Sequence, residues 1–547
     1  MIVGQRADAM RRNNELWKAP IMTHPVLIAG EWRPASANKT FQADNPTTRE
    51  AIADEYPVSS WADCDAALDA AVGAAREMRK LSGEQIAVFL EVFADRIEAR
   101  KDDLVEMAHA ETALPKSPRL ADGELPRTTG QLRQAAKAAR EMSWKNCVID
   151  TATGIRSYLA PIGPVCVFGP NNFPFAFGSV SGGDFAAAIA AGNPVIGKAN
   201  SSHPGTTRIF AEEALEAAKQ CDVPNSIVQL IYRTDHADGE KLVSDRRAGA
   251  TGYTGSRGAG LKLKSAADAT GKPIYLELSS VNPVVFLPGS LEERADEIAT
   301  EYKTSGLMGT GQFCTNPGMA VLVESEASQA FLDQVLGLYK EAPVGTLLSA
   351  SVEKSLAQNV ATLKSAGAEE LLGGPTGTGS GYSCANTVLK VSGSKFLSDP
   401  ETFQTEAFGN AALFVVAKNL DEVCEVVAKL EGNLTGCIYS AKSGSDDAAY
   451  DRVAEVLRPL VGRLLNDKMP TGVAVSAAMN HGGPFPATGH PGFTAVGIPG
   501  SLIRFAMLEC YDNVRPNRLP ACLANKNPTG KTWRLVDGEW TTGDVPV

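Results

Sequence analysis

Pro164-Val165-Cys166-Val167-Phe168, an alanine-rich run reaching Ala191, and then Pro194-Val195-Ile196 make up the stretch that decides the fold. Two short apolar runs, each opened by a proline, flank a segment of helix-forming alanine. A strand, a helix and a second strand in that order form a crossover unit with parallel strands. The alternation continues downstream. A helical stretch runs through Lys219, and strands follow at 227–231, near 248–253 and at 274–278, with helical segments between them. The pattern predicts a doubly wound α/β sheet with parallel strands.

Upstream, Ile86, Phe89, Leu90, Phe93 and Ile97 fall at helical spacing, and Ser82 with Gln85 three residues later forms a capping-box signature. Val26-Leu27-Ile28-Ala29-Gly30 is the first strand-like run, so residues 1–24 read either as a mobile extension or as a stray upstream start. Downstream, Val284-Val285-Phe286, Val321-Leu322-Val323, Leu413-Phe414-Val415-Val416, Cys437-Ile438-Tyr439 and Gly462-Arg463-Leu464-Leu465 give a second set of strands, suited to a second α/β domain. Between them, 374–381 is a glycine-rich surface loop. No strand and helix flank it in the way a phosphate cradle requires.

A chain of 547 residues, 44% hydrophobic and 21% charged, buries large cores and divides into more than one domain. Its net charge of −11 repels polyanions, which argues against nucleic acid as a partner. No stretch approaches a membrane span, and the N-terminal residues lack the apolar core of a signal peptide. The ten cysteines are scattered, without CxxC pairs or zinc-type spacing. No metal is expected, and free thiols in a cytoplasmic setting fit best.

One of those cysteines stands apart. Gly311-Gln312-Phe313-Cys314-Thr315 sets a thiol in a turn of small residues directly behind a predicted helix. A thiolate attacks a carbonyl carbon far better than a hydroxyl does at neutral pH, which makes Cys314 the candidate nucleophile. Its bland alternative is a small buried hydrophobe. Five further segments accompany it: Gly169-Pro170-Asn171-Asn172-Phe173-Pro174, Gly197-Lys198-Ala199-Asn200-Ser201, Tyr253-Thr254-Gly255-Ser256, Leu276-Glu277-Leu278-Ser279-Ser280 and Glu406-Ala407-Phe408-Gly409. Together and in this order they resemble the aldehyde dehydrogenase superfamily. The stretches SVSGGDFAAAIAAGNPVIGKANSSHPGTT (179–207) and NHGGPFPAT (480–488) are most similar to its NADP-using fatty-aldehyde and 2-oxoglutarate-semialdehyde branch.

The resemblance implies an α/β, aldehyde-dehydrogenase-like fold. A Rossmann-type dinucleotide-binding domain spans 25–148 and 163–278, a bridging hairpin at 149–162 pairs between the subunits of a homodimer, and a catalytic domain spans 279–507. An N-terminal extension, 1–24, precedes these parts and a C-terminal segment, 508–547, follows them. The resemblance also implies roles. Asn172 and the nucleophile's own N–H hold the oxyanion formed on attack, and Glu277 activates the water that releases the product. Asn171 stands where the family often has tryptophan, so the adjacent asparagines leave an off-by-one assignment open. Ser279 and Ser280 replace two glycines common in relatives.

For the cofactor, Lys198 and Glu406 resemble the residues that hold the adenosine ribose and the nicotinamide ribose, and Phe408 belongs to the same cluster. Ser256 opens a helix whose N–H groups can face a pyrophosphate. Ser201 stands where NAD-preferring relatives commonly carry a glutamate that repels a 2′-phosphate. The expected cofactor is therefore NADP, with NAD also accepted, and Arg233 or His236 are the candidate phosphate partners. His481 falls where relatives close the substrate or nicotinamide side, and Phe173, Phe177 and Phe313 are candidates for an apolar funnel.

The expected activity is NAD(P)-dependent oxidation of an aldehyde to a carboxylic acid through a thiohemiacetal and thioester on Cys314, with 2-oxoglutarate semialdehyde as a candidate substrate. The alternatives are a long-chain fatty or aromatic aldehyde, acyl transfer to coenzyme A or phosphate, against which Glu277 argues, and a non-catalytic protein on the same fold. A small-molecule aldehyde is the expected partner.

Overall fold

The computed structural model describes residues 23–377 and 379–545. The expected extension at 1–24 therefore lies outside the described residues, except for Thr23 and His24. His24 Nε2 meets Asp54 at 2.7 Å on the strand Glu50–Pro57.

The crossover pattern at 164–196 builds the centre of a seven-stranded sheet. Its parallel strands are Val165–Phe168, Val195–Lys198, Val228–Ile231, Ala250–Thr254 and Ile274–Glu277. In spatial order the last two lie on one side of Val165–Phe168 and the other two on its opposite side. The winding therefore reverses between Val165–Phe168 and Ala250–Thr254. A cleft opens at the carboxyl ends of strands at such a switch point. The sheet departs from the expected parallel arrangement at one edge, where Val26–Ile28 and Glu31–Arg33 join antiparallel. Ala29 and Gly30, with φ of 58° and 78°, form the tight two-residue turn between them, a local geometry that strand and helix alternation does not reveal.

The helix Gly83–Ala99 carries the expected capping box, with Ser82 Oγ accepting from Gln85 N. It packs its apolar stripe against the helices Leu125–Glu141 and Gly183–Ala190, and Phe93 meets the edge of Phe185 at 5.6 Å between centroids. The first turn of the helix Leu125–Glu141 places Arg127 over the rings of Phe173 and Phe177.

A second seven-stranded sheet is built on Val284–Phe286, Met319–Val323, Thr387–Ser392, Ala411–Ala417, Asn433–Tyr439 and Val461–Asn466, all parallel, with Glu369–Leu372 antiparallel at one edge. Alternate residues of its strands enter separate cores on its two faces. Val285, Val321, Val415 and Ile438 fill one core, while Val284, Phe286, Leu322 and Phe414 fill the other. Both faces being covered explains why these strands are rich in apolar residues.

Cys147–Ile149 and Arg156–Pro161 pair as a hairpin within a third sheet. Ala506–Tyr511 flanks it on one side and Arg534–Val536, followed by Glu539–Thr541, on the other. The expected boundary at 507/508 thus falls inside a strand, because residues distant in sequence complete the hairpin's sheet. No helix among the described residues is long and apolar enough to cross a membrane.

Candidate active site

The nucleophile loop is shaped by its backbone. After the helix Pro288–Leu307, Gly309, Thr310 and Gly311 adopt left-handed conformations with φ of 57°, 58° and 70°. Gly311 is also pressed against the loop of Gly409, where an added Cβ would stand 2.0 Å from the Gly409 carbonyl oxygen. Only glycine satisfies both conditions. Gly311→Ala is expected to cost about 3 kcal/mol of stability, read as a lower Tm, and to lower kcat by displacing Cys314. Beyond the turn, Asn282 Nδ2 donates to the carbonyls of Cys314 and Asn316 at 2.9 Å each. Asn282 itself is fixed through Asn433, whose Oδ1 accepts from the backbone N–H groups of Val281 and Asn282.

Cys314 is half-buried, and its Sγ lies 3.4 Å from His481 Nε2. The same nitrogen lies 2.8 Å from Glu277 Oε1. Burial alone pushes the imidazole's pKa down, but the Glu277 carboxylate and the Cys314 sulfur outweigh it and raise the pKa from 6.5 to about 10. His481 is therefore an imidazolium at neutral pH, held between a sulfur and a carboxylate. The three groups lie within 4.8 Å of one another, a spacing that hydrogen bonding already explains.

Glu277 ends its strand on the switch-point side of the first sheet and is 5% exposed. Its Oε2 is buried without a hydrogen-bond partner among the described residues, leaving an acceptor for a water proton. Asn172 is likewise buried, and its Nδ2 donates to the Gln312 carbonyl at 3.0 Å, which brings the amide to the nucleophile loop. Arg119 Nη2 holds the Asn172 carbonyl at 2.9 Å. Of the two adjacent asparagines, Asn172 is the one with this side-chain tie to the loop.

A cavity of about 1140 Å³ runs from the switch point to Cys314 and Glu277. Eight of the residues singled out from sequence line it: Asn172, Lys198, Ser201, Ser256, Glu277, Cys314, Glu406 and Phe408. Lys198 is half-buried at the end of Val195–Lys198, where burial and then the Arg233 guanidinium push its pKa down from 10.5 to about 8. Ser201, Arg233 and His236 line the cavity with it, as does the carboxylate of Glu240. Ser256 is the N-cap of Arg257–Asp268 without a side-chain cap bond, so first-turn N–H groups remain open toward the cavity. Glu406 accepts from Ser280 N at 3.2 Å. Burial pushes its pKa up against the pull of Ser279 and Ser280. Ser279 thus meets this carboxylate through its side chain, and Ser280 through a backbone N–H that a glycine would supply equally.

Phe173, Phe177 and Phe313 meet in one cluster, with Phe173 edge-on to Phe177 at 5.4 Å and to Phe313 at 5.2 Å. Phe177 lies 5.7 Å from the His481 ring. Two cations escaped sequence reasoning. Arg119 stands 4.1 Å over the Phe173 ring and Arg127 5.3 Å over the Phe177 ring. Nothing near Leu125-Pro126-Arg127 marks it in sequence, because its position depends on how a distant helix packs.

Residues 32–470 match the model of the aldehyde dehydrogenase family. The chain is 37% identical to alpha-ketoglutaric semialdehyde dehydrogenase 2 of Azospirillum brasilense over 530 residues, covering 95% of this chain and 99% of that protein. It is 33% identical to an alpha-ketoglutaric semialdehyde dehydrogenase of Acinetobacter baylyi over 520 residues, with 93% and 97% covered. Among solved structures, a Bacillus cereus aldehyde dehydrogenase aligns with a TM-score of 0.77 at 19% identity, covering 90% of this chain and 96% of that one. A Pseudomonas syringae aldehyde dehydrogenase mutant solved with NAD+ and octanal aligns with a TM-score of 0.76 at 18% identity, covering 92% and 99%. At such identities the structural likeness establishes the fold.

Proposed function

Because the chain belongs to the aldehyde dehydrogenase family, we propose that its substrate is an acidic semialdehyde of the 2-oxoglutarate semialdehyde type, oxidised to the dicarboxylate. The geometry that carries the chemistry is the single line Cys314–His481–Glu277, at 3.4 Å and 2.8 Å, at the inner end of the cavity. The substrate follows from the names of the two relatives above, each sharing at least a third of its sequence with this chain over nearly its full length.

Cys314 Sγ attacks the aldehyde carbon, and the carbonyl π electrons move onto oxygen. Asn172 Nδ2 and the Cys314 N–H hold that oxyanion. When bound, the nicotinamide supplies the acceptor for the hydride that leaves the carbon. Its loss turns the thiohemiacetal into a thioester on Cys314. Glu277 Oε2 then takes a proton from water, the resulting hydroxide adds to the thioester carbon, and the Cys314 sulfur departs as a thiolate, stabilised by the His481 imidazolium.

The cavity fits a dinucleotide because it lies at the switch point, meets an open helix N-terminus at Ser256 and carries Lys198 at its far end. Our reading favours NADP. Burial and the Arg233 guanidinium disfavour the charge on Lys198, an anion between the two side chains relieves this, and Ser201 adds no repulsion toward a 2′-phosphate. Arg233→Ala is expected to raise KM for NADP about tenfold, close to 1.4 kcal/mol, and KM for NAD less than twofold. Equal effects on both cofactors would remove Arg233 from this role.

In this reading the first sheet and the helices on it form the cofactor domain, and the second sheet forms the catalytic domain. The third sheet is the dimerisation element. Its edge strand Ala506–Tyr511 exposes Met507 and Leu508, the latter 67% exposed, and an uncovered apolar strand edge favours pairing. All ten cysteines are free thiols, which supports a cytoplasmic setting. A kcat/KM panel over short acidic, long aliphatic and aromatic aldehydes with both cofactors tests the substrate reading. A preference for the long aliphatic or aromatic member would overturn it.

A further inference from the structure

We propose that Arg127 anchors the distal carboxylate of the substrate and thereby sets the preference for acidic over neutral aldehydes. The inference rests on the acidic-semialdehyde reading and assigns that preference to one residue.

The first support is an unmatched set of donors. Nε and Nη2 of Arg127 are both buried and have no hydrogen-bond partner among the described residues. Those two nitrogens form one edge of the guanidinium and present parallel N–H groups, the fork that takes a carboxylate in bidentate fashion. Buried donors are almost always paired, so an unpaired edge beside an active site calls for a ligand.

The second support comes from its neighbours, whose terminal guanidinium nitrogens are engaged, although Arg119 Nε is buried and unpaired like that of Arg127. Arg119 gives Nη1 to Glu124 at 2.7 Å and Nη2 to the Asn172 carbonyl at 2.9 Å. Glu124 in turn accepts from the backbone N–H groups of Phe175 and Ala176 at 2.8 Å and 2.9 Å. Arg463 is spent on the carbonyls of Pro470 and Gly472. Two guanidinium charges therefore face one engaged carboxylate at this end of the helix Leu125–Glu141. One positive charge is left over.

The third support is position. Arg127 lies over Phe177 and, at 5.8 Å, over Phe173, the rings that also border His481 and Phe313. Phe177, which Arg127 overlies, lies 5.7 Å from the His481 ring, and His481 Nε2 lies 3.4 Å from Cys314 Sγ, so the guanidinium stands beside the reacting groups. A cation in the first turn of a helix also opposes the macrodipole. Helix stability therefore does not account for it.

The substrate would enter with its aldehyde carbon toward Cys314 and its carboxylate on the Nε/Nη2 edge. Its methylene groups would lie along the phenylalanine rings. A fatty or aromatic aldehyde would leave the same edge desolvated and unpaired, a penalty that discriminates by exclusion as well as by attraction.

The test compares wild type, Arg127→Leu and Arg127→Lys on 2-oxoglutarate semialdehyde and on pentanal, each with NADP saturating. Expected for Arg127→Leu is a fall of about 100-fold or more in the ratio of kcat/KM for the acidic to the neutral aldehyde. The fall should appear mainly in KM for the acid. Arg127→Lys should restore part of the ratio, since it keeps the charge and loses the fork. A second readout avoids turnover: calorimetric binding of 2-oxoglutarate to the cofactor-free protein should be lost in Arg127→Leu, with thermal melts confirming the fold. A wild type without preference for the acidic aldehyde would sink the substrate reading itself. A wild type that prefers it, joined to an unchanged ratio in Arg127→Leu, would overturn the role of Arg127 alone.

Discussion

Replacing Cys314 by alanine is expected to lower kcat/KM for aldehyde-dependent reduction of NADP or NAD by a factor of about 10⁴ or more. The sulfur is the atom that carries the acyl group, and no other thiol is offered in its place. Cys384 is buried elsewhere, and burial pushes its pKa up to about 11. Folding should be little affected. Cys314 is half-buried, its loop is held by Asn282 through backbone carbonyls rather than through the side chain, and the sulfur's hydrogen-bond contact is with His481. Unchanged reduction of NADP in Cys314→Ala would leave a chain that keeps the family fold without using this nucleophile. Thermal melts of the two proteins should agree within a few degrees.

Replacing Glu277 by glutamine should separate the two halves of the reaction. The first equivalent of reduced cofactor is expected to form as a burst, and steady turnover is expected to fall by about 10²- to 10⁴-fold, because the base that activates water for thioester hydrolysis is gone. Stopped-flow absorbance at the reduced nicotinamide band reads both phases. If the burst and the steady state slowed together, Glu277 would act in attack rather than in release. A second signature concerns His481. Its pKa, about 10, lies above the ordinary 6.5, so the imidazolium is present at neutral pH and is lost as pH rises through about 10. Glu277 is the largest of the groups that raise it. Removing that charge should bring the loss of the imidazolium to lower pH, as an NMR titration of the His481 ring would read.

Much of the fold was legible because its signals are local. The five parallel strands of the first sheet and most strands of the second are short runs rich in apolar residues, since buried parallel strands need no polar face. The antiparallel edge at Val26–Ile28 and the sheet completed by Ala506–Tyr511 were not legible. Both depend on pairing between segments separated by much of the chain. The site divides in the same way. Cys314, Glu277, Lys198 and Ser256 each sit at the end of an element or in a turn whose residues mark it, and they line one cavity. His481 carried only a motif. Its meaning came from contacts spanning 167 residues to Cys314 and 204 to Glu277.

By itself, then, the sequence determined the order of strands and helices, the thiol that can act as nucleophile and the carboxylate able to activate water, because residue type, periodicity and turn chemistry act over a few neighbouring positions. Tertiary structure decided what depends on which groups face each other across the fold. It joined His481 to both Cys314 and Glu277, tied Asn172 rather than Asn171 to the nucleophile loop, and turned Ser279 and Ser280 into partners of Glu406. It also left one edge of Arg127 buried and unpaired beside the phenylalanine cluster.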